Sequence, residues 1–130
     1  VSAQVQAECS VSASSLDFGT YSPLSDTDLD AQATITVTCT SGASAWVGLD
    51  EGTNSPDGTT RALSNGTDTL TYELYSDAAR TTVWGNDAAS GAAVTGTGAA
   101  QTLDVYGRIT ASQNVSVGTY TDTITVTVNF

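Results

Sequence analysis

The stretch Tyr120-Thr-Asp-Thr-Ile-Thr-Val-Thr-Val-Asn-Phe130 decides the fold. Its apolar residues Tyr120, Ile124, Val126, Val128 and Phe130 all take even positions, while Thr121, Thr123, Thr125, Thr127 and Asn129 take odd ones. A period of two places the two sets on opposite faces of a β-strand, one apolar and one hydroxylated. Ala31 to Cys39 repeats the pattern, with Ala33, Ile35, Val37 and Cys39 against Thr34, Thr36 and Thr38. Shorter runs follow at Ala45, Val47 and Leu49, at Leu70, Tyr72 and Leu74, and at Leu103, Val105, Gly107 and Ile109. Turn signals separate them: Ser41-Gly42, Asn54 to Gly58, Asn65-Gly66, Gly85-Asn86-Asp87 and Gly96 to Gly98. No window sustains a helical stripe, and Ser76 to Arg80 allows a turn or two at most. Roughly six to eight short strands at this spacing predict an all-β chain, an immunoglobulin-like antiparallel β-sandwich. Ala88 to Ala100 reads as a long connection or a weak edge hairpin.

Length and composition agree with that class. The 130 residues suit one domain. Threonine, with 23 copies, is β-branched and fits a pleated surface better than a helix. Fourteen acidic residues face three arginines, with no lysine and no histidine, for a net charge of -11. That balance argues against nucleic acid as a partner, because phosphate binding needs lysine and arginine. Without histidine, a Ser-His-Asp triad is excluded and the commonest zinc ligand is missing. The chain reads as no enzyme, with neither cofactor nor metal. No apolar run is long enough to insert in a membrane as a helix. The first residues lack the charged and apolar regions of a leader, so a mature secreted chain is the expectation.

Cys9 and Cys39 form an even count without a CxxC motif, which reads as a disulfide formed in an oxidising compartment. Closing that loop removes roughly 3–4 kcal/mol of unfolded-chain entropy.

The two ends carry the most information about function. Val1, Ala3, Val5 and Ala7 alternate with Ser2, Gln4, Gln6 and Glu8, so a strand-like segment precedes Cys9. An edge strand needs a neighbour or it stays adhesive. Two solutions exist: residues 1 to 8 pair within their own sandwich, or they add as a strand to the sheet of another copy. Residues 1–7 and 123–130 hold no charged side chain, so both segments suit an uncharged joint.

The ordered set Cys9-Ser-Val-Ser-Ala-Ser-Ser-Leu-Asp-Phe-Gly-Thr-Tyr-Ser-Pro-Leu24, Ile35-Thr-Val-Thr-Cys39, Leu70-Thr-Tyr-Glu-Leu-Tyr-Ser-Asp-Ala-Ala-Arg80, Trp84-Gly85, Tyr106-Gly107-Arg108-Ile109 and Gly118 to Phe130 resembles the spore coat protein U domain. This is the domain of archaic chaperone-usher pilins such as the Csu-type major subunit. The resemblance covers nearly the whole chain. It implies an incomplete immunoglobulin-like sandwich completed by a donor strand from a neighbouring subunit. Residues 1–8 would be the donor extension, with Val1, Ala3, Val5 and Ala7 as donor side chains, and residues 9–130 the single pilin domain. Ile124, Val126, Val128 and Phe130 would line the acceptor groove, and a disulfide would join Cys9 to Cys39. The implied partners are identical subunits in a fibre, with a periplasmic chaperone and an outer-membrane usher during assembly. The implied place is an extracellular, cell-surface pilus used for attachment and biofilm formation. One departure is that only eight residues precede Cys9, fewer than related pilins carry. The alternative is a self-contained secreted coat or adhesin module that binds a surface or a carbohydrate.

Other constellations carry less. Asp26, Asp28 and Asp30 have the spacing of a calcium loop's first ligands, but Ala31 stands where its glycine belongs and Val37 where its glutamate belongs. They read as a solvated turn, as do Asp50, Glu51 and Asp57. Trp46 and Trp84 read as core residues of a sandwich rather than a sugar platform. Asn65-Gly-Thr67 and Asn114-Val-Ser116 read as ordinary turn and strand residues. Arg61, Arg80 and Arg108 are each expected to pair with a carboxylate.

Overall fold

The computed structural model describes all 130 residues, and every regular element in it is a strand. In chain order these are β1 (Cys9–Ala13), β2 (Leu29–Cys39), β3 (Ser44–Leu49), β4 (Ala62–Ser64), β5 (Thr69–Tyr75), β6 (Ala92–Thr95), β7 (Ala100–Ile109) and β8 (Val126–Asn129). They form a five-stranded sheet of order β1-β2-β7-β5-β4 and a three-stranded sheet of order β6-β3-β8, and every pairing is antiparallel. The period of two does the folding. Ala33, Ile35, Val37 and Cys39 of β2 meet Val105 and Ile109 of β7 and Leu70, Tyr72 and Leu74 of β5 in one core, closed from the other sheet by Ala45, Val47 and Leu49 of β3. Trp84 plugs its centre at 1% exposure, with its indole N–H donating to the Val47 carbonyl at 2.9 Å.

The strand order is that of an immunoglobulin sandwich, with β1, β2, β7 and β5 as its four-stranded sheet and β3 and β8 as two strands of the other. In a complete sandwich a further strand lies beside the position held by β8. Here β8 is an edge strand.

Cys9 opens β1, Cys39 closes β2, the two stand opposite in register, and a disulfide joins them. Replacing both cysteines by serine is expected to cost about 2–4 kcal/mol. Urea denaturation of the double variant against the oxidised chain measures it.

The structure differs from the sequence readings at Ala88 to Ala100, at Tyr120 to Phe130 and at Trp46. Ala88 to Ala100 holds β6, an edge strand that pairs with the distant β3 and not with its chain neighbour β7, so the segment is neither a long connection nor a hairpin. The strand expected over Tyr120 to Phe130 has regular pairing only over Val126–Asn129. Upstream, the loop after β3 takes over as the partner: the Asp50 N–H donates to the Thr125 carbonyl, the Thr53 N–H to the Thr123 carbonyl, and the Thr125 N–H to the Asp50 carboxylate. Residues 1–8 form no strand with their own sheet. Trp84 is core as expected, but Trp46 is not. It sits at the opposite parity to Ala45, Val47 and Leu49, on the outer face of the small sheet, and is part-exposed.

Each arginine has its carboxylate. Arg108 grips Asp30 through two hydrogen bonds and reaches Asp28 at 3.7 Å, while Arg80 lies 3.6 Å from Asp30 and over the Tyr106 ring. Two members of the calcium-like triplet are thus spent on arginines, and Asp28 also accepts from the Ala111 N–H. Arg61 pairs with Glu73.

Candidate functional site

A groove opens between the two sheets, beside β8. One wall is the chain leaving β1. After Ser14, whose N–H still donates to the Thr34 carbonyl, residues 15–22 depart from the large sheet and form no regular strand. Leu16 and Phe18 turn inward over Gly107, where a Cβ would come within 2.8 Å of the Phe18 ring. Phe18 meets Tyr72 edge to face at 6.0 Å, a favoured aromatic geometry. The other wall is residues 115–126. The groove consists of two cavities that share Ser15, Leu16, Phe18, Leu63 and Asp122. One, of about 310 Å³, lies between Ala13 and the pair Ile124 and Val126, over Ile35, Leu74 and Val105. The second, of about 710 Å³, lies between Tyr21 and Pro23 on one side and Val115, Val117 and Tyr120 on the other.

Of the sequence-predicted groove residues, Ile124 and Val126 line the cavity. Val128 is half-buried against the core, and Phe130 is 62% exposed outside the groove. Leu16, Phe18 and Tyr21, which sequence reasoning passed over, supply the opposite wall. Leu16 and Phe18 do show a period of two, the one local signal that marked them.

The backbone along this edge is available for pairing. Thr121 pairs with Ser64 and the loop after β3 takes the Thr123 and Thr125 carbonyls and the Thr125 N–H, whereas the N–H and C=O of Asp122 and Ile124 have no backbone partner. Such unpaired groups are what an added strand would use. Asp122 anchors the wall from beneath: its carboxylate accepts from the Thr53 and Asn54 N–H groups and from the Tyr72 hydroxyl. Burial, and then this bond to a carboxylate, push the Tyr72 phenol well above the ordinary tyrosine range. The unfolded chain ionises that phenol near pH 10, so its contribution to stability is full below that pH and is lost as pH rises above it. Melting temperature is therefore expected to fall steeply above about pH 10, and Tyr72→Phe to flatten that slope.

Residues 1–7 lie apart from all of this. Val5 is 86% exposed and Val1 fully so. The last tie is at Glu8, whose N–H donates to the Thr40 hydroxyl and whose carbonyl accepts from the Thr40 N–H. The chain thus carries an unpaired, alternating, uncharged segment and an unfilled apolar groove.

Comparison with known proteins decides the family. Residues 1–127 match the Spore Coat Protein U domain. The chain belongs to that family. A curated relative, Protein U of Myxococcus xanthus, is 34% identical over 98% of this chain and 80% of its own length. Among solved structures, the chaperone-tip adhesion subunit pre-assembly complex CsuC-CsuE, from the archaic chaperone-usher Csu pili of Acinetobacter baumannii, matches with a TM-score of 0.74 at 24% identity. That match covers 97% of this chain and 40% of the other, and it shows the shared fold. The spore coat U domain of the present chain is an immunoglobulin-like sandwich in architecture.

Proposed function

We propose that this spore coat U domain is a structural subunit of an extracellular chaperone-usher fibre, joined by donor-strand exchange. Residues 1–8 are the donor extension and residues 9–130 the pilin domain. Val1, Ala3, Val5 and Ala7 of one copy enter the groove of the next, between Ile124 and Val126 on one wall and Leu16 and Phe18 on the other. Val128 and Phe130, outside the two cavities, continue the β8 edge beyond them. The observation that carries this reading is the pairing of an unfilled apolar groove along a free strand edge with an unpaired apolar segment in the same chain. A chain cannot leave that groove open in water without cost, so a periplasmic chaperone fills it first and an outer-membrane usher directs the exchange. The fibre's role is surface attachment and biofilm formation, and its chemistry is not enzymatic.

Magnitudes support a durable joint. Burying the two valines contributes roughly 3–6 kcal/mol, and each ladder hydrogen bond adds about 0.5–1.5 kcal/mol. Fibres from an unboiled sample are expected to run as a ladder of multimers that collapses to monomer on boiling. A second reading, a self-contained coat module, is favoured by the family's name and by the relationship to Protein U. A purified chain that stays monomeric and stable with no chaperone supports that reading and counts against the fibre.

A further inference from the structure

The outer face of the three-stranded sheet presents the one part-exposed tryptophan of the chain. No residue of β3, β6 or β8 is charged, in a chain whose net charge is -11. Trp46 stands at the centre of that face, opposite Asn129 of β8 on one side and Ala93 of β6 on the other. Gly48 and Gly91 let its ring down onto the backbone: a Cβ on either glycine would lie 2.8 Å from the six-membered ring. The same Cβ on Gly48 would collide with the Asn86 side-chain oxygen, so Asn86 and the indole sit side by side over one glycine. Thr127, opposite Gly48, adds a hydroxyl to the same face. The indole N–H of Trp46 and the side-chain amides of Asn86 and Asn129 make no hydrogen bond within the protein, whereas the buried Trp84 N–H does. Buried tryptophan N–H groups find a partner, as that of Trp84 does, whereas that of Trp46 is left for an acceptor outside the protein.

We propose that this face is a binding site for a neutral hexose oligosaccharide. A pyranose ring offers a C–H face to lie on the indole and hydroxyl pairs around its rim. Each asparagine amide supplies one acceptor and two donors to such hydroxyls. Charge selects for neutrality: an anionic polysaccharide would approach a strongly acidic molecule with Asp87 beside Asn86 at the edge of this face, while a neutral one meets strands with no charge to desolvate. A second copy of the chain fits less well, since it would have to cover three unspent polar groups with matching ones. The face lies on the opposite side of the small sheet from the groove, and repetition along a fibre would add avidity.

Tryptophan fluorescence of the full chain tests the proposal, because Trp84 is buried and serves as a silent reference. Titration with cellohexaose and with maltohexaose is expected to give a saturable blue shift, at millimolar affinity, with at least one of them. Trp46→Ala is expected to abolish binding with the melting temperature unchanged, and Trp46→Phe to weaken it while keeping an aromatic ring over the glycines. Asn86→Ala and Asn129→Ala are each expected to weaken binding about tenfold, the loss of one net hydrogen bond. No shift with either sugar overturns the proposal. So does an undiminished affinity in the double asparagine variant, which would mark a merely apolar surface, or a shift that follows protein concentration instead of sugar, which would mark self-association. Because the titration uses the chain in whatever state of assembly it has, failure here and failure of the fibre reading are read separately.

Discussion

Removal of residues 1–7 is expected to abolish polymerisation while leaving a subunit that a chaperone still holds. The deleted segment makes no contact on which the fold depends: its last tie to the domain is at Glu8, and Val1 and Val5 stand in solvent. What is lost is the proposed occupant of the next copy's groove. The subtler variant Val5→Asp keeps the length and alternation but, under the proposed exchange, brings a carboxylate into a groove whose lining offers it no cation. Burying an unpaired charge costs several kcal/mol, comparable to the whole gain from the two valines. Gel ladders of unboiled material should show multimers for the parent chain, a sharply shortened ladder for Val5→Asp and monomer alone for the deletion. A full ladder from the deleted chain would remove the donor role from residues 1–7.

The second large effect falls on stability. Arg61 is 3% exposed and holds four groups at once: Glu73, the carbonyls of Leu49 and Trp84, and the carbonyl of Asp50 through its Nε. These come from the end of β3, the loop after it, β5 and the segment carrying Trp84, so one guanidinium ties the small sheet to the large one. Arg61→Ala leaves those carbonyls without a donor in the interior, and is expected to cost about 3–5 kcal/mol. Against a total stability of about 5–15 kcal/mol that is a large share. Arg61→Lys is expected to recover only part of it, since an ammonium lacks the planar fork that reaches carbonyls on separate segments. Chemical denaturation of both variants, with unchanged slope and shifted midpoint, measures the difference.

The elements legible in the sequence were those whose information is local. Ala33 to Cys39 and Ile124 to Val128 declare their faces by parity alone, and the sandwich follows from stacking such faces. Parity also held the answer for Trp46, which shares its face with Gly48 and not with Ala45, Val47 and Leu49. Reading it as core because it is aromatic let residue type outweigh position. Arg61 gave no local sign of burial, because what it binds is a set of carbonyls brought together only by the fold. The second wall of the groove was hidden for the same reason. Leu16 and Phe18 carry a two-residue alternation too short to stand out, and their place opposite Ile124 depends on the chain leaving the large sheet after Ser14. The shortening of the last strand to Val126–Asn129 arises from a side chain, since the Asp50 carboxylate occupies the Thr125 N–H that a ladder partner would take.

Hydrogen–deuterium exchange on the heat-stable multimers, resolved to residues 1–8 and 122–128 and compared with the chaperone-released monomer, tests the central claim most directly. Donor-strand exchange predicts slow exchange in residues 1–7 and along the free edge at Asp122 and Ile124 in the multimer alone, with residues 1–7 exchanging freely in the monomer. Free exchange of residues 1–7 in the multimer, or protection there that is already present in the monomer, would contradict it.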